Sequence, residues 1–400
     1  MRSERIAIAL DTPRPSMMKL DHRCFVLSAA LLTVPTACAA GDDDAASGTE
    51  TSGTTSDVTT PQPSGSATNG DETATASNSE ADTNAPSGRD TDTDGDADTD
   101  TDTGGGQETG TTIPRDAVIV AVGYGLRRAR SEDGVTWTDF VEVDPNGGDD
   151  ENLLRGVGYG NGVFVAVGDR TLRSLDGITW NEEEDIVDSF LSDVVYLDGV
   201  FIAAGGNGVR VRSLDNAVTW QDQTPYFAGH YRAIAVGNGI AVAVGHTYGD
   251  TNVGLASTTT DGLTWTAEQI GGVQQSGHSI VFGNGVFVTR DDAGGLRSSA
   301  DGEAWTVSPQ SASDGGRIIF AQGEFIFADS GAYWTSEDGV AWTSAPAESA
   351  RGLDGWFNGQ YLTLGWPATI SVSPDLENWE QVFAPGGSGL AELAIGSPGR

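Results

Sequence analysis

Residues 174–180 read SLDGITW, and the same pattern returns six more times along the chain. It stands as SEDGVTW at 131–137, SLDNAVTW at 213–220, TTDGLTW at 259–265, SADGEAW at 299–305, SEDGVAW at 336–342 and SPDLENW at 373–379. The tryptophans Trp137, Trp180, Trp220, Trp265, Trp305, Trp342 and Trp379 follow one another at intervals of 37 to 45 residues. Self-similarity at one such period is the signature of a repeat architecture, and a four-stranded propeller blade takes about 40–45 residues.

The pattern has a mechanical reading. Each copy sets a hydroxyl two residues before a carboxylate: Ser131 and Asp133, Ser174 and Asp176, Ser213 and Asp215, Thr259 and Asp261, Ser299 and Asp301, Ser336 and Asp338, Ser373 and Asp375. Both groups can accept backbone N–H groups of a tight turn, and the following glycine supplies positive φ. The tryptophan brings a large apolar face to lay against the next unit.

The rest of each unit reads as strands. RAIAVGNG (232–239) is an apolar run ending in Asn-Gly, which suits a two-residue hairpin, and VFVAVG (163–168) or VFIAAG (200–205) follows as a partner strand. Labelled A to D from the axis outward, each unit has its repeated turn between C and D. The ends of the array are complementary. DAVIVAVGYG (116–125) matches strand B with no A before it, and LAELAIGSPG (390–399) matches strand A with no B after it. The expectation is an all-β fold: a seven-bladed β-propeller of four-stranded antiparallel blades, closed by the C-terminal strand joining the N-terminal strands. Closure hides the sheet edges that would otherwise recruit other chains.

The seven motifs resemble the Asp-box, or BNR repeat, of sialidase-superfamily propellers. The longer pattern GVxxxSxDGxxW also resembles photosystem assembly-factor propellers and related bacterial surface proteins. The resemblance spans residues 113–400. It implies the propeller fold, with the Asp-boxes on the face away from any ligand. Sialidases, by the same resemblance, carry six blades, an arginine triad, a tyrosine nucleophile with a partner glutamate, an aspartate acid/base and a Phe/Tyr-Arg-Ile-Pro signature. TTIPRDAV at 111–118 does not match that signature. Glycoside hydrolysis is therefore the alternative reading, with no catalytic residue assigned.

In propellers, ligands meet the face made by the D–A connections and B–C hairpins. Aligning the A strands puts Arg155, Arg232, His278, Arg317 and Arg351 at or within one residue of the start of the strand, with Ser192, Asp193 and Glu392 in the other two blades. As a cationic ring they would hold a carboxylate, a sulfate or an acidic peptide. As structural groups each would neutralise a carboxylate such as Glu151, Asp193 or Glu392. GHTYGDTNVG (245–254) is the longest B–C hairpin and offers His246, Tyr248 and Asp250 to a ligand. His230 and His278 lack zinc-site spacing. No nucleophile elbow, phosphate loop or metal set stands out, so no cofactor is expected.

A formal net charge of −37 argues against nucleic acid and anionic membranes as partners. Residues 1–16 have no signal character, and Met17 or Met18 is the expected start. Lys19, His22 and Arg23 then precede CFVLSAALLTVPTA, an apolar run suited to a signal peptide over 17–37. PTACAA resembles a lipoprotein box with Cys38 as the acylated residue. The other cysteine, Cys24, lies inside the signal, so Cys38 would have no disulfide partner. Residues 38–112 are an acidic Asp/Thr/Ser/Gly-rich linker expected to be disordered. Asp90, Asp92, Asp94 and Gly95 match the first half of a calcium loop, but its twelfth position is Thr101, and a solvated tether is the better reading.

The combined expectation is a monomeric, exported cell-envelope protein, lipid-anchored or else secreted. Its propeller would be a non-catalytic binding or assembly module for a protein or anionic glycan. A passive envelope or matrix protein with a plugged mouth is the remaining alternative.

Overall fold

The computed structural model describes residues 114–145, 152–182, 186–187, 189–224, 229–248, 253–273, 275–313 and 316–398. The signal peptide, the linker, Cys38, Glu151 and Asp250 lie outside the described residues.

The strands form seven four-stranded antiparallel sheets. The chain is a seven-bladed β-propeller. In blade 1 the C-terminal strand Leu390–Gly396 lies beside Val118–Gly123, followed by Arg127–Ser131 and Trp137–Val141. Ile119 faces Ile395 and Ala121 faces Leu393 in this closing pair. Blades 2 to 7 each take their four strands in chain order.

The B strands are mostly buried, and fully so in Val163–Gly168 and Val118–Gly123. They read as continuous apolar runs because a neighbouring blade covers each of their faces. The apolar clusters accordingly straddle blade pairs: Ile119, Ala121 and Trp137 of blade 1 pack with Phe357, Leu362 and Ile370 of blade 7.

Two devices join the blades. First, strand A often ends in a glycine on which the next blade lays an aromatic ring. A Cβ at Gly160 or Gly283 would stand 2.1 Å from Tyr196 or Phe320, and one at Gly237 or Gly396 would stand 2.2 Å from Phe282 or Tyr159. Only glycine permits that approach. Second, the A–B hairpins reach the next blade's C–D turn. Asn238 Nδ2 donates to Ala300 O and Asn284 Nδ2 donates to Glu337 O, each at 2.9 Å.

The C–D turn is nearly the same in every blade. In blade 2, Gly177 N–H donates to Ser174 Oγ (2.8 Å), while Ile178 and Thr179 N–H donate to Asp176 Oδ1 (2.8 and 2.7 Å). Trp180 Nε1 donates to Gly177 O at 3.1 Å. Blade 3 has one extra residue, so Asn216 and Ala217 both take positive φ and Ala217 N–H donates to Ser213 Oγ. Trp220 Nε1 then finds no partner among the described residues. The inserted Asn216 is held from blade 2 instead, its carbonyl by Arg173 (2.7 Å) and its Oδ1 by Asn161 (2.8 Å).

Candidate functional site

Antiparallel order puts the A–B and C–D turns on one face and the B–C hairpins and D–A connections on the other. The second face carries the mouth of the ring. Strand A enters there, and in several blades it enters through a β-bulge. The register slips at Leu154/Gly156, Leu191/Asp193, Tyr231/Ala233 and Gly277/Ser279. The residues skipped are Arg155, Ser192, Arg232 and His278. A bulged residue leaves the ladder and its side chain is re-aimed.

Counting back from the end of strand A shows two layers. Arg155, Ser192, Arg232 and His278 stand five residues before Gly160, Leu197, Gly237 and Gly283. Asp193, Arg317 and Glu392 stand four residues before Leu197, Ala321 and Gly396. A one-residue tolerance in the sequence alignment merges these layers, and the structure separates them.

The inner layer closes on itself around the axis. Arg317 reaches past blade 7 to Glu392 of blade 1, with Nη1 donating to Oε2 at 2.5 Å and Nη2 donating to Ala391 O at 2.8 Å. Its Nε lies 3.5 Å from Asp354 Oδ1 of blade 7. Arg317 is 36 % exposed through the mouth and surrounded by protein on its other sides. Burial disfavours its charge, but Glu392 and Asp354 outweigh burial and hold the guanidinium above its usual range. Asp193 accepts N–H groups of Ile234 (3.0 Å) and Val194 (2.7 Å). Burial, and then the charge of Glu392, push its carboxyl up to about 7. Burial likewise raises Asp354.

The bulge layer forms a different environment across blades 2 to 5. Arg155 Nη2 pairs with Asp169 at 3.5 Å, and its guanidinium lies 4.3 Å from the centroid of Phe190. Arg232 Nη1 donates to Asp292 Oδ1 at 2.8 Å and to His278 Nδ1 at 3.1 Å. Both arginine side chains keep 30 % of their surface. His230 packs edge-on against Phe190 and near His246, and its Nε2 is hydrogen-bonded to Ser192 Oγ at 3.1 Å. Burial, then the positive neighbours, push His230 down to about 4. His246 and His278 are lowered as well, again chiefly by burial. His246 is buried against Ser276 Oγ at 2.8 Å, so it supports the surface rather than projecting from it. Tyr248 beside it is exposed.

Arg351 joins neither layer. Its Nη1 donates to Ser371 Oγ at 3.3 Å and its guanidinium sits 5.6 Å from the Trp379 ring, both within blade 7. The five aligned positions therefore give no continuous ring. Arg155, Arg232 and His278 come together in one sector, Arg317 closes the axis, and Arg351 lies outward.

Phe190, His230, His246 and Asp354 complete these environments, and sequence periodicity does not select them. Phe190 and Asp354 come from D–A connections, which have no repeat register. Among the described residues no group of three or more His, Cys, Asp or Glu side chains is arranged to hold a metal ion. Arg155 and Arg232 face the mouth with part of their surface open to water. Its axial carboxylates are engaged by Arg317 and by backbone N–H groups.

No protein-family model matches the chain, and no curated protein matches it. Among solved structures it is similar to YCF48 bound to a D1 peptide, at 18 % identity over 63 % of this chain and 90 % of that one, with a TM-score of 0.44. YCF48 from Cyanidioschyzon merolae shares 17 % identity over 59 % of this chain and 86 % of that one, with a TM-score of 0.45. A chain of a nidogen/laminin complex shares 9 % identity over 70 % of this chain and 98 % of that one, with a TM-score of 0.41. The propeller assignment rests on the seven sheets themselves.

Proposed function

We propose that the protein is a non-catalytic binding module whose propeller captures a partner protein through an anionic group at Arg155 and Arg232. One observation carries this reading. The bulge re-aims both arginines on the mouth face, where His230, His246 and His278, every histidine beyond His22, gather with them. A partly exposed guanidinium has five N–H donors, so Arg155 and Arg232 can each take a further carboxylate beside or in place of Asp169 and Asp292.

A blocked hexa-glutamate peptide tests the site by titration against the full chain. The double variant Arg155→Ala/Arg232→Ala should weaken its binding roughly tenfold, two lost charge-assisted bonds being ample for that. Unchanged affinity in a folded double variant would sink the reading.

Export and anchoring belong to the same proposal. Lys19, His22 and Arg23 ahead of an apolar run, and PTACAA around Cys38, support a lipid-anchored envelope protein, with residues 38–112 as its tether. Mass spectrometry of the mature N-terminus should show a diacylglyceryl-modified Cys38. An N-terminus elsewhere, or an unmodified Cys38, would remove the anchor.

A further inference from the structure

Trp366 stands apart from the other nine tryptophans. They are buried or half-buried, whereas Trp366 keeps 61 % of its surface exposed. It lies on the mouth face, in the B–C hairpin of blade 7 between strands Gln360–Gly365 and Thr369–Ser373. Two neighbours hold the ring. Tyr124, in the B–C hairpin of blade 1, meets it at 5.2 Å with the planes 86° apart. The backbone at Gly389 lies close beneath, since a Cβ there would be 2.6 Å from ring atom Cε3. The indole is therefore presented in one orientation rather than left to swing.

The surroundings narrow what could dock on it. Nearby backbone groups bond each other: Tyr124 N–H donates to Gly389 O and Ala368 N–H donates to Ser388 O, both at 3.1 Å. A sugar needs converging donors and acceptors for its hydroxyls, and these two backbone pairs offer it none. A cation needs only the negative face of the ring, and indole offers the strongest such face among side chains. The local charge agrees. Asp354 accepts the N–H of Leu364, two residues before Trp366, and Glu392 lies three residues beyond Gly389. At about 3.3 Å per strand residue, both carboxylates stand some 7–10 Å along the chain from the platform, within the Debye length of about 10 Å at 0.1 M salt. Arg317 is one cation set between two carboxylates, Asp354 and Glu392. The surplus is negative, like the whole chain at −37.

We propose that Trp366, braced by Tyr124, is a cation-accepting subsite that stacks a lysine or arginine side chain of a partner protein on its indole face. It lies over blades 7 and 1, apart from the Arg155–Arg232 sector over blades 2 to 5, and does not depend on it.

The test uses the full chain carrying 5-fluorotryptophan, with Trp366→Leu assigning the resonance of residue 366. The probe is Gly-Arg-Gly-Arg-Gly blocked at both ends, and its control replaces arginine by citrulline, which has the same shape without the charge. The expected result is a shift of the Trp366 resonance with the arginine peptide and none with the citrulline peptide. Trp366→Leu should weaken the arginine peptide roughly fivefold while the melting temperature holds. Arg155→Ala/Arg232→Ala should leave this response intact even if hexa-glutamate binding is lost, so the two readings fail separately. Equal shifts with citrulline, a shift with methyl glucoside instead, or undiminished affinity in folded Trp366→Leu would each overturn the proposal.

Discussion

The two faces of the ring obey different rules. On the C–D face, four of the seven turns make the same bonds with the same residues, and the other three vary them slightly: Gly134, Gly177, Gly302 and Gly339 all donate to a serine Oγ at 2.8–2.9 Å. On the mouth face the equivalent positions of successive blades hold Arg155, Ser192, Arg232 and His278, and their contacts vary: Arg155 meets Asp169, Ser192 meets His230, and Arg232 and His278 meet Asp292 and each other. Repetition answers a need that every blade shares, which is to close its outer hairpin and meet its neighbour. Individuality at equivalent positions is what a recognition surface requires.

If the C–D face is scaffold, its disruption should cost most. Gly339 has φ +71°, and a Cβ would lie 2.3 Å from Cγ2 of fully buried Val288. Gly339→Ala should destabilise by about 3 kcal/mol, combining the left-handed backbone with overpacking. Urea unfolding measures this, and a cost below about 1 kcal/mol would show the turn to be slack. Arg317→Met should come next. It strips Glu392 and Asp354 of their shared cation, and water reaching Arg317 through the mouth reduces the fully buried figure to about 2 kcal/mol. Adding Glu392→Gln should recover part of the loss; no recovery would mean that the pair does not tie the closing strand.

A third substitution checks the equivalence of the turns. Asp338 accepts Val340 and Ala341 N–H at 2.8 Å each, and Asp301 accepts Glu303 and Ala304 N–H at 2.9 and 2.8 Å. Asp338→Ala and Asp301→Ala should each cost about 1 kcal/mol, since exposed N–H groups recover water. A difference between them larger than that would break the claim of a common scaffold. The bonds from Ala341 and Val340, and in Asp301 those from Ala304 and Glu303, hold both carboxyls below the usual value of 3.8. Their contribution is present above 3.8 and is lost as pH falls below it.

The difference between the faces also decides what could be read before the fold was known. Seven tryptophans at blade spacing, Asn-Gly hairpins and unmatched ends at 116–125 and 390–399 sufficed for blade number and closure, because each was repeated or complementary. The mouth was legible only in backbone position. Arg155, Arg232 and His278 could be aligned, but Arg317 and Glu392 meet across 75 residues, and Arg351 turns to Ser371 and Trp379 of its own blade. A period locates a Cα; a side chain's direction depends on the bulge beneath it and on partners from other blades. Asn216 shows the opposite case, an irregular insertion absorbed locally by Asn161 and Arg173.

Histidine titration separates the mouth from the scaffold in pH. His230 has a folded pKa of about 4 against 6.5 for the free side chain. Between those values the unfolded chain binds the proton and the folded chain does not. His230 therefore lowers stability as pH falls from about 6.5 toward 4, while Asp193, raised to about 7, acts in the opposite sense over the same range. His230→Gln should flatten this decline while leaving the loss below 3.8 from the turn aspartates in place. Melting curves from pH 3 to 8 would show it, and an unchanged slope between 4 and 6.5 would mean that His230 is charged in the folded state.

The smallest effect on stability belongs to the residues given the largest role in binding. Among the described residues Arg155 and Arg232 each pair with one carboxylate, and each keeps 30 % of its surface in water. Such pairs contribute about 0–1 kcal/mol, because ordering two side chains offsets most of their attraction. Arg155→Ala and Arg232→Ala should therefore shift the unfolding midpoint hardly at all, while Asp338→Ala should shift it without touching hexa-glutamate affinity. The contrast is the sharpest test of the division between faces. If Arg232→Ala cost as much as Arg317→Met, its bonds to Asp292 and His278 would be holding blade 4 to blade 5, and the bulge layer would belong to the scaffold after all.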